Sequence, residues 1–446
     1  MTPTPAGSAP VADPAPAEVP VRPAAAGGGA AMREALALFI GGALWLMYYP
    51  GNPLPPDVTP AGATALLLLR GSAPLWWWKS LGMLLLIAGW LTAYQRGGGR
   101  RGRAVLILLF AGWALLLPTL AEMALRQRTQ PHYYAHDGGV LQLEAAADFL
   151  RAGVNPYAAD YRMTPLGRFS GMAMPGGHPA LDHCVYPPAS FLLLVPLRAL
   201  APAADARLLS LLLVALVAVV LAREASLLPL IGWVANPLLN FYLVRGTNDH
   251  LMLAVMVLGV LAARTGRWRL AGGLLGLAGM IKPFAWTVAL LLLAGQRDRR
   301  VWRAAGGAWL LTTLALLLPF VFWSPLALYD DLLAYPLGWS AVSYPVELIG
   351  NYGSGALWHG LPPAGARLLA AAGALATLAL LGALIRRRWR AGGILPALAD
   401  AALLLTVAGW SGRFLHDNYL GVFALLAWWG LTLPERCGTL TDADMR

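Results

Sequence analysis

The sequence predicts an all-α protein that crosses the membrane many times, as a bundle of about 11 to 13 helices. Of its 446 residues, 58% are hydrophobic and 12% are charged, and the mean hydropathy is +0.60. A chain of this composition has more apolar surface than a soluble fold can bury. Apolar runs of about 16 to 20 residues, each long enough to cross roughly 30 Å of hydrocarbon, recur between Ala35 and Leu433.

Arginine clusters orient the predicted spans. The formal net charge is +11, but the basic residues lie in short clusters between apolar runs rather than along one polar face. This distribution follows the positive-inside rule and argues against a nucleic-acid partner. We expect four clusters on the cytoplasmic side, at 96–103, 264–269, 297–303 and 386–390.

With this orientation, ten apolar runs are predicted to be simple spans, and two stretches are predicted to be broken or re-entrant helices. The stretch 227–246 is interrupted at the Asn-Pro pair 236–237, and the stretch 269–295 at the Lys-Pro pair 282–283. Each half is about 10 to 13 residues long, which is too short to cross the bilayer. Such breaks persist at membrane depth only where protein or a water-filled cavity satisfies the freed backbone groups. The simple spans are predicted at 34–49, 75–94, 104–124, 188–202, 207–223, 248–264, 303–323, 367–386, 394–410 and 417–433.

The predicted domain organisation is one transmembrane domain, residues 32–433, between two cytoplasmic tails. Residues 1–31 are rich in Pro, Ala and Gly and have almost no large apolar side chain, which predicts a disordered tail. Residues 434–446 are the second tail. Two long extracytoplasmic loops are expected, at 127–185 and 324–366.

Ionisable side chains gather on the extracytoplasmic side of this topology. All seven histidines fall there or at its membrane edge, whereas the cytoplasmic side is mainly basic. Acid–base chemistry should therefore face outward. The carboxylates on the same side include Asp137, Asp160, Asp182, Asp249, Asp330, Asp331 and Asp417.

The first polar constellation is His136-Asp137. It precedes an amphipathic stretch, 140–150, whose spacing suits a helix lying on the membrane surface, and an Asn-Pro-Tyr turn at 155–157. A carboxylate above a lipid-facing cavity can accept the proton of an acceptor hydroxyl while that hydroxyl attacks a sugar carbon. Alternatively, Asp137 only caps the helix that follows it.

Two more constellations lie at the ends of predicted spans. Asp182-His183 comes shortly before Tyr-Pro-Pro at 186–188, where paired prolines suit the first turn of a helix. The segment Arg-Gly-Thr-Asn-Asp-His starts at Arg245, and its glycine should form a turn that brings polar groups to the outer end of the next helix. An arginine there can bind a phosphate through two parallel hydrogen bonds. The alternative is a surface ion pair between Arg245 and Asp249.

Lys282 lies inside an otherwise apolar run, where an ionisable side chain costs roughly 3 kcal/mol or more and is a functional hypothesis by default. Its ammonium can bind phosphate as a point charge, or it can snorkel to the interface. The segment 413–419, which carries an arginine, a histidine and an aspartate, can bind phosphate or sugar hydroxyls, or can simply anchor a helix at the interface.

Three carboxylates have less definite roles. Asp330 and Asp331 are expected on a solvated surface of the second loop. Asp400 lies within an apolar span, and the sequence indicates no partner for it.

The order of these motifs resembles the GT-C glycosyltransferases that use polyprenyl-phosphate sugars. The closest likeness is to family 87, the bacterial mannosyltransferase-like group, and it covers roughly residues 130 to 300. The chain departs from the family in having three predicted spans before the Asp137 loop, where such enzymes often have one. The motifs that carry the resemblance are His136-Asp137-Gly138, Gly153-Val154-Asn155-Pro156-Tyr157, Tyr186-Pro187-Pro188, Asn236-Pro237, Arg245-Gly246-Thr247-Asn248-Asp249, Ala271-Gly272 and Lys282-Pro283.

The resemblance implies a multi-pass enzyme of the cytoplasmic membrane that works on its extracytoplasmic face. It would move mannose, or another hexose or pentose, with inversion, from a polyprenyl-phosphate donor to a glycolipid or other envelope acceptor. Asp137 would be the general base, and Lys282, Arg245 and Arg413 would bind the donor phosphate. The residues expected to contact substrate are His136, Asn155, Tyr157, Asp182, His183, Tyr186, Asn248, Asp249, His250, His416 and Asp417.

This scheme requires no cofactor or metal, although the acidic and histidine-rich loop can accommodate a divalent cation. Two other functions fit part of the pattern. A transporter or flippase of a lipid-linked glycan would share the broken helices, but it would be expected to show an internal repeat and a site near the bilayer midplane. A non-catalytic membrane subunit would tolerate a change at Asp137.

Overall fold

The computed structural model describes residues 26–48, 76–95, 99–128, 134–169, 181–341, 351–358 and 360–434. Regular structure within these residues is entirely helical, as predicted. The longer helices are α1 (Ala26–Tyr48), α2 (Trp76–Gln95), α3 (Arg100–Arg128), α4 (Leu143–Arg151), α5 (Ala189–Leu200), α6 (Arg207–Leu221), α7 (Leu228–Val234), α8 (Pro237–Arg245), α9 (Asp249–Arg264), α10 (Trp268–Gly279), α11 (Phe284–Ala294), α12 (Arg299–Trp323), α13 (Pro363–Ala391), α14 (Leu395–Ser411) and α15 (Asp417–Thr432).

Each of the ten predicted simple spans coincides with a helix. Among the described residues, three helices are long and apolar enough to cross a membrane: α3, α12 and most of α13. A fourth span is present if α8 and α9, which meet at a bend of 119°, are counted together. This number is below the 11 to 13 expected, because several apolar helices have fewer than the roughly 20 residues that a full crossing needs.

Both predicted helix breaks are present. The first separates α7 from α8 at Asn236, whose side chain accepts a hydrogen bond from Leu239 N (3.3 Å) and donates one to Gly421 O (2.9 Å). The second separates α10 from α11 and contains Lys282. The glycine turn expected between α8 and α9 is also present: Gly246 adopts a left-handed conformation with φ +94°, and the two helices meet at 119°.

The amphipathic stretch after Asp137 is helical, as predicted. A π-helical turn, Asp137–Gln142, leads into α4, and the chain leaves that helix through Gly153, which has φ +74°. Its apolar face packs in a second hydrophobic core, separate from the large core of the bundle, together with Tyr161, Phe191 and Phe320.

Buried ion pairs attach this region to the bundle. Arg126 of α3 contacts Glu144 of α4 at 2.8 Å and Asp205, just before α6, at 2.9 Å. Asp400, for which the sequence indicated no partner, is buried against Arg388 (2.9 Å) and Arg387 (3.1 Å) of α13. Charges within these apolar surroundings are thus paired.

The predicted tails lie mostly outside the described residues. Helix α1 begins at Ala26, within the last part of the predicted N-terminal tail. Residues 1–25 and 435–446 are not among those described.

Candidate active site

The turn that carries Asp137 rests on the C-terminal end of α8. His136 N donates a hydrogen bond to Arg245 O at 2.8 Å. Gly139 packs against Gly246 and Thr247, which follow Arg245. A Cβ on Gly139 would be 2.5 Å from Thr247 Cα and closer still to Gly246 O. The first and third constellations of the sequence are therefore in direct contact.

Asp137 is accessible enough to meet a substrate, since 32% of its side chain is exposed. Its Oδ1 accepts a hydrogen bond from Gly138 N (2.8 Å) and lies 2.9 Å from His136 Nδ1. The N-cap of the π-helical turn is His136, whose Nδ1 accepts from Gly139 N at 3.2 Å. The capping role considered for Asp137 thus falls mainly to its neighbour.

Tyr186 joins the Asp137 turn to the membrane helices. A Cβ on Gly138 would overlap the Tyr186 hydroxyl, so the glycine makes room for this side chain. Burial raises the pKa of Tyr186 well above its usual value, and the nearby carboxylates of Asp137 and Asp249 raise it further. Tyr186 therefore stays protonated, as a hydrogen-bond donor in the neighbourhood of both carboxylates.

Lys282 does not face a surface. Its Nζ lies 2.5 Å from Asp249 Oδ1, and Asn418 Nδ2 donates to the other oxygen of that carboxylate at 2.7 Å. Asp249 is fully buried and Lys282 is 8% exposed. The alternative of an ion pair between Arg245 and Asp249 is wrong, because Asp249 pairs with Lys282 instead. Snorkelling of Lys282 is also excluded.

Aromatic rings surround the ammonium group. Lys282 Nζ lies 4.6 Å from the ring centroid of Tyr419 and 5.5 Å from that of Phe284, distances at which a cation interacts with a π face. The neighbouring His416 packs edge-on against Tyr419, with centroids 5.4 Å apart. The fourth and fifth constellations therefore meet around Lys282.

The two arginines expected to bind phosphate differ in their surroundings. Arg245 is half-buried in the last turn of α8, and its guanidinium has no ion pair within the part of the chain that the structure describes. Arg413 is buried; it donates from Nη1 to Tyr335 O at 2.7 Å and packs over Phe414. Arg245 is the better placed of the two to receive an anion.

Tyr242, a residue that the sequence did not indicate, connects Asp417 to the Asp137 turn. Tyr242 donates its hydroxyl to Asp417 Oδ1 at 2.6 Å, and its ring meets the His136 ring edge-on with centroids 6.2 Å apart. Tyr242 lies three residues before Arg245 in α8, hence on the same side of the helix. That spacing was the only signal available in the sequence.

Several residues expected to contact substrate have contacts within the protein instead. Asn155 caps the 3₁₀ turn that contains Tyr157, and the Tyr157 hydroxyl donates to Tyr186 O at 2.9 Å. His250 is fully buried beside Trp233. These contacts give Asn155, Tyr157 and His250 roles in the packing of the fold.

Asn248 and Asp182, also expected to contact substrate, likewise have partners within the protein. Asn248 is buried and donates to Ile281 O at 3.5 Å, so it borders the Lys282 break. Asp182 forms an exposed bidentate pair with Arg162, at 2.5 and 2.7 Å. The pair between Asp182 and Arg162 is exposed to solvent and therefore contributes little to stability.

The expectation of a solvated surface is wrong for Asp331, which is 2% exposed. Its Oδ1 lies 2.7 Å from His183 Nδ1, and its Oδ2 accepts from Cys184 N at 2.7 Å. Burial raises the pKa of Asp331. Burial opposes protonation of His183, but the hydrogen bond and charge of Asp331 outweigh it, so the pKa of His183 is raised. Sequence separation of 148 residues hid this contact.

His183, Asp330 and Asp331 offer ligand atoms that all lie within 4.8 Å of one another, a grouping that can hold a divalent cation. However, both oxygens of Asp331 already have donors in the protein. His183 Nδ1 is likewise engaged by Asp331, whereas its Nε2 is buried without a hydrogen-bond partner among the described residues.

The model of glycosyltransferase family 87 matches residues 185–409, half of the chain. The matched segment includes Tyr186, Arg245, Asp249 and Lys282, whereas Asp137 precedes it and Asp417 follows it. Comparisons with curated proteins and with solved structures return no match. The family match agrees with the resemblance of the motifs and with the apolar helical bundle. The chain is thus a membrane glycosyltransferase that belongs to glycosyltransferase family 87.

Proposed function

We propose that the chain transfers a sugar from a polyprenyl-phosphate donor to a hydroxyl of a lipid-linked or cell-envelope acceptor, with inversion and with Asp137 as general base. One observation carries the proposal. The partly exposed Asp137 lies on the turn that packs against the Tyr186 hydroxyl, and the charge of the buried Asp249, the partner of Lys282, also acts on Tyr186, so the base and the cationic pair adjoin the same side chain.

In the proposed reaction, the acceptor oxygen forms a bond to the anomeric carbon while the bond from that carbon to the phosphate oxygen breaks. The polyprenyl phosphate leaves with the bonding electron pair, and Asp137 takes the acceptor proton. A carboxylate suits this task because the hydroxyl becomes acidic only as the new bond forms. Attack opposite the leaving group inverts the anomeric carbon.

Negative charge grows on the phosphate as the bond breaks, and fixed cations nearby lower the barrier. We assign the main contact to Arg245, since its guanidinium has no carboxylate partner within the described residues. Lys282 shares its charge with Asp249 and would contribute a directed ammonium rather than a free cation. Arg413, tied to a backbone carbonyl, is assigned a weaker role.

The sugar hydroxyls would be bound by the polar groups around these cations. His136, Tyr186, His416 and Asp417 line the region between the Asp137 turn and the start of α15. We further propose that this region opens to the extracytoplasmic side of the cytoplasmic membrane. The arginine clusters support that orientation, because positive charge favours the cytoplasmic side. Mannose, another hexose or a pentose are the candidate donor sugars.

The test is a transfer assay with the full chain in membranes and with polyprenyl-phosphate mannose and related donors. Asp137→Asn keeps the size of the side chain and removes the base, so we expect turnover to fall about 10²- to 10⁴-fold. Asp160→Asn is the matched control, as Asp160 is an exposed carboxylate paired with Arg162. Equal turnover by wild type and Asp137→Asn would remove the assigned base, and transfer with retention would contradict the single displacement.

A further inference from the structure

Tyr242 stands at the centre of the polar contacts, and we infer that it is a positioning residue for the Asp137 base. The inference rests on the proposed function. Tyr242 acts on Asp137 through His136, and it connects that pair to Asp417 on α15. Its hydroxyl is engaged by a carboxylate, so its role is to hold its neighbours in place rather than to contact a reacting atom.

The side-chain contacts run from one helix to another. The Tyr242 hydroxyl donates to Asp417 Oδ1 at 2.6 Å, a charge-assisted hydrogen bond between α8 and α15. On its other side, the ring meets the imidazole of His136 at an interplanar angle of 69°. His136 Nδ1 is in turn 2.9 Å from Asp137 Oδ1. A shift of Tyr242 would therefore be felt at the base.

The main chain of Tyr242 holds the same turn from below. Its carbonyl oxygen accepts hydrogen bonds from Gly246 N and Thr247 N, both at 2.8 Å. These bonds close the left-handed turn after α8, which is the surface on which Gly139 rests. One residue thus supports the Asp137 turn through both its backbone and its ring.

The contacts continue to the cationic side of the site. Asp417 Oδ1 also accepts from Asn418 N at 3.0 Å, and the Asn418 side chain donates to Asp249, the partner of Lys282. The Tyr242–Asp417 bond is consequently one hydrogen-bonded link between the base and the Lys282 pair. Since transition-state geometry must be held within fractions of an ångström, loosening this link should slow the reaction.

The experiment compares Tyr242→Phe with Tyr161→Phe in the transfer assay. Tyr242→Phe removes only the hydroxyl and keeps the ring beside His136. We expect kcat to fall about 10-fold or more, the effect of losing a hydrogen bond to a charged group, while the donor KM stays close to that of the wild type. Tyr161→Phe loses a comparable bond, to Pro156 O at 3.0 Å in the second core, and should keep wild-type kinetics.

A double-mutant cycle separates positioning from general damage. Asp417→Ala and Tyr242→Phe remove the same bond, so the double variant should lose less than the product of the single losses. Tyr242→Leu also removes the ring and should lower kcat further. Thermal unfolding of each purified variant tests whether it is folded. Tyr242→Phe keeps the ring and its packing, so its Tm should be close to that of the wild type.

Two results overturn the inference: kcat of Tyr242→Phe equal to that of Tyr161→Phe, or losses in the cycle that simply multiply. Asp137→Asn in the same assay distinguishes the two proposals. If Asp137→Asn is inactive and Tyr242→Phe is normal, only the positioning role fails. If Asp137→Asn turns over like the wild type, the base assignment fails and the positioning role falls with it.

Discussion

Lys282 and Asp249 form a buried ion pair, with Nζ 2.5 Å from Oδ1, that joins the break between α10 and α11 to the first turn of α9. An unpaired charge at either position would be costly, because little water reaches the site. The pair explains how an apolar run tolerates a lysine. It also means that the lysine has a structural partner before any phosphate arrives.

The first prediction concerns this pair. Lys282→Met leaves the Asp249 carboxylate buried without a cation, and we expect the free energy of unfolding to fall by ~3–5 kcal/mol. The double variant Lys282→Met with Asp249→Asn should recover most of that loss, since no buried charge remains. Thermal unfolding of the purified protein measures both.

Arg162→Gln is the control for this measurement. It breaks an exposed pair with Asp182, which should change stability by less than about 1 kcal/mol. Equal stability of the single and double Lys282 variants would contradict the assigned pairing.

The second prediction concerns phosphate binding by Arg245. Arg245→Gln removes a cation that has no ion pair within the described residues, so we expect the donor KM to rise about 10-fold or more. The donor KM of Arg245→Lys should lie between those of the wild type and Arg245→Gln, because an ammonium keeps the charge but cannot form two parallel hydrogen bonds. Initial-rate measurements over a range of donor concentrations test this. Arg151→Gln, on the exposed face of α4, should leave the donor KM as it is; an unchanged KM in Arg245→Gln would count against the assignment.

The third prediction uses the close packing of the Asp137 turn. In Gly139→Ala, the new Cβ meets the backbone of Gly246 and Thr247, which cannot rotate away as a side chain can. The turn must then move off α8, and displacement of a catalytic group by about 1 Å can cost roughly 100-fold in rate. Gly102→Ala is the control, because nothing lies within 4 Å of its Cβ position. Full activity of Gly139→Ala would show that the turn need not rest on α8.

The fourth prediction is a pH dependence of stability. The pKa of His183 is raised above its usual 6.5, because its bond to Asp331 outweighs the effect of burial. The folded protein therefore holds a proton that the unfolded chain releases. The stabilisation is fully present below pH 6.5 and is lost as the pH rises through the raised pKa.

We accordingly expect the Tm to fall as the pH rises above about 6.5, and we expect His183→Asn to remove that part of the slope. Asp160→Asn should keep the wild-type slope, because the pKa of Asp160 is lowered below 3.8, outside this range. A wild-type slope in His183→Asn would exclude His183 as its source.

Much of the fold follows from local features of the sequence. Apolar runs predicted where helices occur, and the Asn-Pro and Lys-Pro pairs predicted both breaks, because a proline cannot donate the backbone hydrogen bond that continues a helix. A glycine turn at 246 was also expected, because glycine adopts a left-handed conformation without steric cost. The size of the bend, 119°, and the contact of this turn with Gly139 were not.

The partners of charged residues were harder to predict than their presence. The sequence showed that Lys282 is a charged residue in an apolar run and that Asp331 is a loop carboxylate, but it did not show their partners. Lys282 pairs with Asp249, 33 positions away, and Asp331 pairs with His183, 148 positions away. Tyr242, 175 residues from Asp417, had no signal beyond its helical spacing. Local spacing shows which face of a helix a side chain occupies, but it does not show which distant residue lies opposite.

The sequence by itself determined that the chain is helical and apolar, where its helices break, and which motifs it shares with family 87. These properties depend on hydrophobicity, backbone geometry and residue order, all of which are written along the chain. The tertiary structure alone decided that Lys282 is neutralised by Asp249, that Arg245 has no ion pair among the described residues, and that Tyr242 lies between His136 and Asp417. Ion pairs and hydrogen bonds form over about 3 Å, so only packing determines which of many possible partners meet.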